Sequence, residues 1–335
     1  MRFLRLVSVL LILSACGDRP PSAYGDPNSV IMLAQQELWV QVADTLERAL
    51  APRVFTVRDE RTFRLTHVEP TDPAWGRLRQ FRQILLIGRP SDPWIQEALE
   101  HADSTIGPPP TVFEARNVWV NGQVVTAAVV ATGREVSGAI ELLPEIHERL
   151  DARFRTYAVR RMYSSGVDSA LADTLRRAAG FALLLPEVYR ATPVDSGYLF
   201  RNDALTTGRD DLVRSVLVTW RAGTARPQTA EQILEWRDTV AQRHYARPMV
   251  TLREPLRADT VRTAAGPAFE LQGIWETPAG GWPGGGPFVA RIVHCPQQGR
   301  TYLIDAWLYA PGEDKYEYML QLWTALGTFE CGAAA

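Results

Sequence analysis

Residues 267–331 hold the pattern that most restricts the fold. Pro267 to Glu276, Phe288 to Cys295 and Thr301 to Tyr309 each alternate apolar with polar residues. That period of two places successive side chains on opposite faces of a strand. Only Pro296 to Arg300 separate the last two segments, too few for the crossover that a parallel pair needs, so these strands run antiparallel. A helix from about Glu313 to Leu326 follows, with Tyr316, Met319, Leu320, Trp323 and Leu326 on one face and Gly327 able to end it. The partner strand leads away from the turn by roughly 30 Å at ~3.3 Å per residue. The helix brings the chain back by roughly 20 Å. Cys331 is therefore expected to reach Cys295 and form a disulfide, with Cα atoms about 4.4–6.8 Å apart.

The rest of the chain mixes both element types. Val30 to Ala34 reads as a strand, Leu38 to Leu50 as an amphipathic helix, Arg61 to Val68 and Ile84 to Gly88 as strands. Asp72-Pro73 and Asp92-Pro93 mark helix starts. Val112 to Val120 and Gln123 to Ala131 flank Asn121-Gly122, the pair suited to a two-residue hairpin turn. A helical stretch runs from about Glu135 to Met162; Pro144 is expected to kink it or begin a new helix. Asp168 can cap a shorter helix, and Thr229 begins another with capping-box spacing. Phe181 to Val188, Tyr198 to Asn202 and Val213 to Trp220 read as strands. The expected class is α+β, with antiparallel sheets and flanking helices in two halves of similar size, residues 29–165 and 166–331.

Composition restricts partners. The chain has 335 residues, 46% hydrophobic and 22% charged, enough for one large or two modest cores. A net charge of -2 gives no attraction to nucleic acid, and of 36 basic residues only Lys315 is a lysine. The even spread of arginine along the chain points to codon bias and not to a phosphate site.

The N-terminus carries an address. Arg2 and Arg5 precede the short apolar run Leu6 to Leu13, which is well below the ~20 residues that span a bilayer. This is the form of a secretory signal, residues 1–15. Leu13-Ser14-Ala15-Cys16 resembles the lipobox of bacterial lipoproteins, which implies a lipid on Cys16 and anchoring to a membrane, the outer membrane favoured over the inner. Residues 16–28, rich in Gly, Pro and Asp, read as a flexible tether. Export also favours the Cys295–Cys331 pairing.

With these residues assembled, the chain resembles the bacterial lipoproteins grouped as domain of unknown function 4837. Ser-x-Tyr-Gly before the first strand and Glu37-Leu38-Trp39 carry the likeness in the first half. Leu185-Pro186-Glu187-Val188-Tyr189, Gly273-Ile274-Trp275-Glu276, Gly285-Gly286-Pro287-Phe288-Val289, Tyr309-Ala310-Pro311-Gly312 and Tyr318-Met319-Leu320-Gln321-Leu322 carry it more strongly in the second. Pro144 and the cysteine pair depart from the family's pattern. The resemblance implies an envelope lipoprotein and supplies no catalytic residue. The strand and helix order of the second half is also similar to the photosystem PsbP-like fold, and a fold does not assign a function.

No motif with a mechanism is complete. His147-Glu148 lacks the second His of a zincin helix, because Asp151 stands there. His294 and Cys295 are strand neighbours and point to opposite faces. His244 suits the C-terminus of its helix. The glycine-rich segment Pro278 to Pro287 reads first as a long hairpin connection with Trp282 folded back onto the sheet; it is also the place to look for a partner, with Trp282, Gly285 and Phe288 as its candidate binding residues. The expectation is a non-catalytic binding or assembly module without a cofactor, meeting an envelope protein or cell-wall component. The alternative is an envelope hydrolase or small-ligand-binding protein.

Overall fold

The computed structural model describes residues 21–102, 105–204, 212–223, 229–246, 248–281 and 283–332. Cys16 and Trp282 lie outside the described residues. The chain divides into two compact units: residues 1–52 with 61–154, and residues 53–60 with 155–335. The class is α+β, with seven helices among the described residues.

The first unit is built on β1 (Ser29–Leu33) and α1 (Gln36–Leu50). The ribbon of β2 (Arg53–Phe55) and β3 (Asp59–Arg61) follows, and all but Arg61 of it belongs to the second unit. Then come β4 (Arg64–Val68), α2 (Trp75–Leu78), β5 (Gln83–Gly88), α3 (Pro93–Leu99), β6 (Thr111–Arg116), β7 (Val124–Val129) and α4 (Glu135–Met162), whose last turns pass into the second unit. The sheet order is β4-β1-β5-β7-β6, and β4, β1, β5 and β7 all run parallel. The antiparallel expectation thus holds here only for β6. The reason is visible in β5, a run buried at every position, as strands covered on both faces are.

Three local readings shift. The β6–β7 hairpin pairs Thr111 with Val129 and Arg116 with Val124, so its loop spans Asn117 to Gln123 and is not a two-residue turn. Asn117 itself takes a left-handed conformation (φ 54°), and its side chain accepts from the Gly122 N–H. No new helix begins at Pro144, which lies inside α4. The described part of the expected tether is docked: the Tyr24 ring lies 4.7 Å from that of Phe81, and its hydroxyl donates to the Arg77 carbonyl. An aromatic ring with a polar tip gives that segment something to bury.

The second unit holds α5 (Ser169–Ala179), β8 (Phe181–Ala182), β9 (Arg190–Val194), β10 (Gly197–Ala204), β11 (Leu212–Ala222) and α6 (Ala230–His244). It continues through β12 (Val250–Thr251), β13 (Arg257–Thr263), β14 (Gly266–Glu276), β15 (Gly285–Cys295), β16 (Arg300–Tyr309), α7 (Tyr316–Gly327) and β17 (Glu330–Cys331). The sheet order β12-β14-β15-β16-β11-β10-β9, with β13 also on β14, is antiparallel throughout. Both faces are covered. Val216, Val289, Tyr302, Ile304 and Leu308 pack with residues of α5 and α7. Leu217, Phe288, Ile292, Leu303 and Trp307 pack with residues of α6. Asp168 and Thr229 cap α5 and α6 as expected. The strand expected over Phe181 to Val188 shrinks to β8, which pairs with β17.

Cys295 and Cys331 form a disulfide with Cα atoms 5.8 Å apart. Beside it, Gln298 donates to the Gly180 and Gly332 carbonyls and Arg300 to that of Ala179. The last carbonyls of α5 are thereby satisfied by side chains of the β15–β16 turn.

Candidate functional site

The most deeply buried charges of the second unit come from α6 and the middle of β16. Asp305 shares its face with Leu303 and Trp307, toward α6, so the alternation that builds the core also buries a carboxylate. The Arg237 Nε donates to Asp305 at 2.8 Å, and both side chains are fully buried. The Tyr245 hydroxyl donates to the other carboxylate oxygen. The Arg237 guanidinium lies 3.9 Å from the centre of the Phe288 ring. Burial, and next the Asp305 charge, hold the Tyr245 phenol well above its ordinary value. This enclosed group makes strong internal bonds, and of its guanidinium only the Arg237 Nη2 lacks a protein partner.

Phe288 is therefore core, not part of an exposed binding loop. Its ring covers Gly273 on β14, where a Cβ would stand 2.6 Å from a ring carbon. Gly286 is equally constrained, because its Cβ would meet the Leu308 carbonyl oxygen at 1.9 Å. Trp275 donates its indole N–H to that same carbonyl. The glycine and aromatic motifs of the second half thus build the sheet. Gly285 does line an open cleft of about 480 Å³, with Pro283, Pro311, Lys315, Glu60 and Arg58.

A second cavity of about 480 Å³ is richer in charge. Its floor is Asn202 on β10 and Arg214 on β11, which are cross-strand partners. Arg161 at the end of α4, Ser165 in the turn after it, Arg190 opening β9, and Tyr318 and Gln321 on α7 complete it. Arg214 donates to Gln321 at 2.8 Å, while its buried Nε and the buried Ser165 hydroxyl have no protein partner. Arg161 is paired with Glu317 at 2.8 Å. The guanidinium carbons of Arg161 and Arg214 lie 6.0 and 5.9 Å from the centre of the Tyr318 ring. Burial raises the Tyr318 pKa against the opposing pull of Arg161.

In the first unit the chain leaves β1 toward β4 on one side and β5 toward β7 on the other. Ligands of open parallel sheets sit in the crevice beyond such a switch point. Gln35, Gly88, Arg89, Val130 and Glu135 line a space of about 200 Å³ there. Arg89 is shared between Asp92 and Glu135, at 3.7 and 3.9 Å. Backbone N–H groups of Glu135 and Gly133 hold the Glu135 carboxyl below its usual range.

The histidines singled out in the sequence are dispersed. His294 contacts Thr301, and His147 meets the edge of Phe63. Among the described residues no group of three His, Cys, Asp or Glu side chains could hold a metal ion, and no helix is long and apolar enough to cross a membrane. The arginine cavity escaped sequence reasoning because its three arginines lie on α4, β9 and β11.

No curated protein matches the chain. Among solved structures, the Ran-binding protein Mog1p of Saccharomyces cerevisiae aligns over 46% of this chain and 91% of its own, at 10% identity and TM-score 0.31. LpqN, involved in cell envelope biogenesis of Mycobacterium tuberculosis, aligns over 45% and 83%, at 12% identity and TM-score 0.28. Residues 23–165 match a family described as domain of unknown function (DUF8532). The stronger motifs of the second half lie within residues 168–328, which match the family described as domain of unknown function (DUF4837).

Proposed function

We propose that this is a lipid-anchored protein of the bacterial cell envelope whose second unit binds a partner and performs no catalysis. The anchoring rests on the sequence Leu13-Ser14-Ala15-Cys16 behind a basic, apolar leader. The partner is an envelope protein or cell-wall component, and the outer membrane is favoured. One observation carries the binding half of the reading. The enclosed Arg237–Asp305–Tyr245 group is spent on the core, while the open cavities present guanidinium, amide, hydroxyl and backbone groups. Such groups recognise and orient a ligand.

Labelling with a fatty-acid analogue tests the anchor. Wild type should take up the label and fractionate with membranes, and Cys16→Ser should persist as an unlabelled precursor. Equal labelling of the two would sink the proposal.

A second reading, a small-ligand-binding protein, is favoured by the arginine cavity alone. Its volume, about 480 Å³, falls in the range that holds a small molecule.

A further inference from the structure

We infer that the cavity formed by the end of α4, the start of β9, β10–β11 and α7 is a binding site for a phosphate ester carrying a small apolar group. The inference rests on the small-ligand reading and gives that ligand its chemistry.

Charge is the first argument. Arg161, Arg190 and Arg214 all line the cavity, and Asp203 is its one acidic lining residue. Asp203 is held by Arg201 at 3.4 Å, and Arg161 is neutralised by Glu317. Among the described residues no carboxylate pairs with Arg190 or Arg214. Two cations thus face one space without counter-charge, which favours an anion of more than one charge.

The second argument is unspent hydrogen-bonding capacity. Buried polar atoms are nearly always partnered, so those that are not call for an explanation. The Arg214 Nε and the Ser165 hydroxyl are both buried, lack a protein partner and belong to residues lining this cavity. Gln321 fixes one Arg214 Nη, which leaves the rest of the guanidinium edge available. A guanidinium edge matches the spacing of two oxygens on one phosphorus, and a hydroxyl supplies a further donor.

The third argument is the wall. Met162, Val188 and Leu212 line the same cavity beside the Tyr318 ring. An inorganic ion would leave that wall unused, whereas an ester with a short apolar substituent would cover it. Such an ester comes either from a soluble metabolite or from a lipid headgroup. The chemistry at the arginines is the same for both.

The test uses the full-length protein in a neutral maltoside detergent, with calorimetric titration of n-butyl phosphate and of dibutyryl phosphatidic acid. Dibutyryl glycerol is the uncharged control. Saturable 1:1 binding of either phosphate, with none of the control, is expected. Phosphatidic acid alone would mark a headgroup site, and n-butyl phosphate at comparable affinity a soluble ester. Arg190→Gln, at an exposed position, should keep the wild-type melting temperature and weaken binding about tenfold, as loss of one hydrogen bond to a charged group does. Arg214→Gln should weaken it at least as much, and raised salt should weaken it further. Failure of both phosphates to bind, or undiminished binding by a folded Arg190→Gln protein, overturns the inference. Neither result bears on Cys16, whose labelling is read separately.

Discussion

At the scale of single residues, the second unit is shaped by close approaches and by polar groups sealed inside. Gly286 has no room for a methyl group, because the obstacle is the Leu308 backbone oxygen and not a side chain that can swing away. Gly286→Ala should therefore cost about 1–3 kcal/mol or more in chemical denaturation. Unchanged stability would show that β15 can shift there. Tyr189 makes a different prediction. Burial pushes its pKa up to about 12, above the ordinary 10.0. Between those values the unfolded chain gives up the proton and the folded one keeps it. Stability from this group is thus complete below pH ~10 and lost as pH rises toward 12, by roughly 2–3 kcal/mol. Tyr189→Phe should flatten that alkaline decline, and an unaltered slope would remove Tyr189 as its source. Little of this was legible in sequence. β15 is buried at nearly every position, so its alternation gave no sign that Phe288 faces inward under Arg237. The polar positions Glu270, Arg291 and Asp305 look solvated in a linear reading. Each is instead buried against an opposite charge, Glu270 with Arg291 at 2.7 Å and Asp305 with Arg237.

At the scale of elements, short-range signals were legible and long-range ones were not. Asp168 and Thr229 lie three residues from the N–H groups they cap, so local spacing is enough to find them. The cap of α7 comes from Glu60, whose carboxylate accepts from the Lys315 and Tyr316 N–H groups at 2.8 and 2.9 Å. No local pattern marks a cap supplied from 255 residues away. Glu60→Ala should destabilise the second unit by about 0.5–2 kcal/mol, the range for lost helix caps. Hydrogen exchange should locate the loss in the first turn of α7; protection unchanged there would show that water replaces the carboxylate at no cost. The disulfide was legible because strand and helix lengths are arithmetic. It joins positions 36 residues apart, and in the chain-entropy account such a loop contributes about 3–4 kcal/mol. Reduction should lower the melting temperature and release the β8 and β17 amides to exchange, whereas identical melting of reduced and oxidised protein would mean that packing alone holds β17.

At the scale of the whole molecule, the parallel sheet of the first unit was missed because its pairings join strands distant in sequence. β1 lies between β4 and β5, and only register along the sheet, not periodicity within a strand, distinguishes that arrangement from a hairpin stack. The second unit is discontinuous, since residues 53–60 belong with 155–335. A fragment beginning at residue 155 therefore lacks the α7 cap and should melt below the intact second unit; equal stability would show that residues 53–60 contribute nothing to it. The docked segment around Tyr24 bears on reach. With Cys16 as the anchor, only Gly17 to Pro20 separate the lipid from residue 21, whose carbonyl already accepts from the Asn121 N–H. Fully extended, that spacer covers roughly 15–20 Å at ~3.3–3.6 Å per residue. The Asn121 corner of the first unit would then ride within roughly 20 Å of the lipid, a short leash on which the protein can pivot but cannot roam.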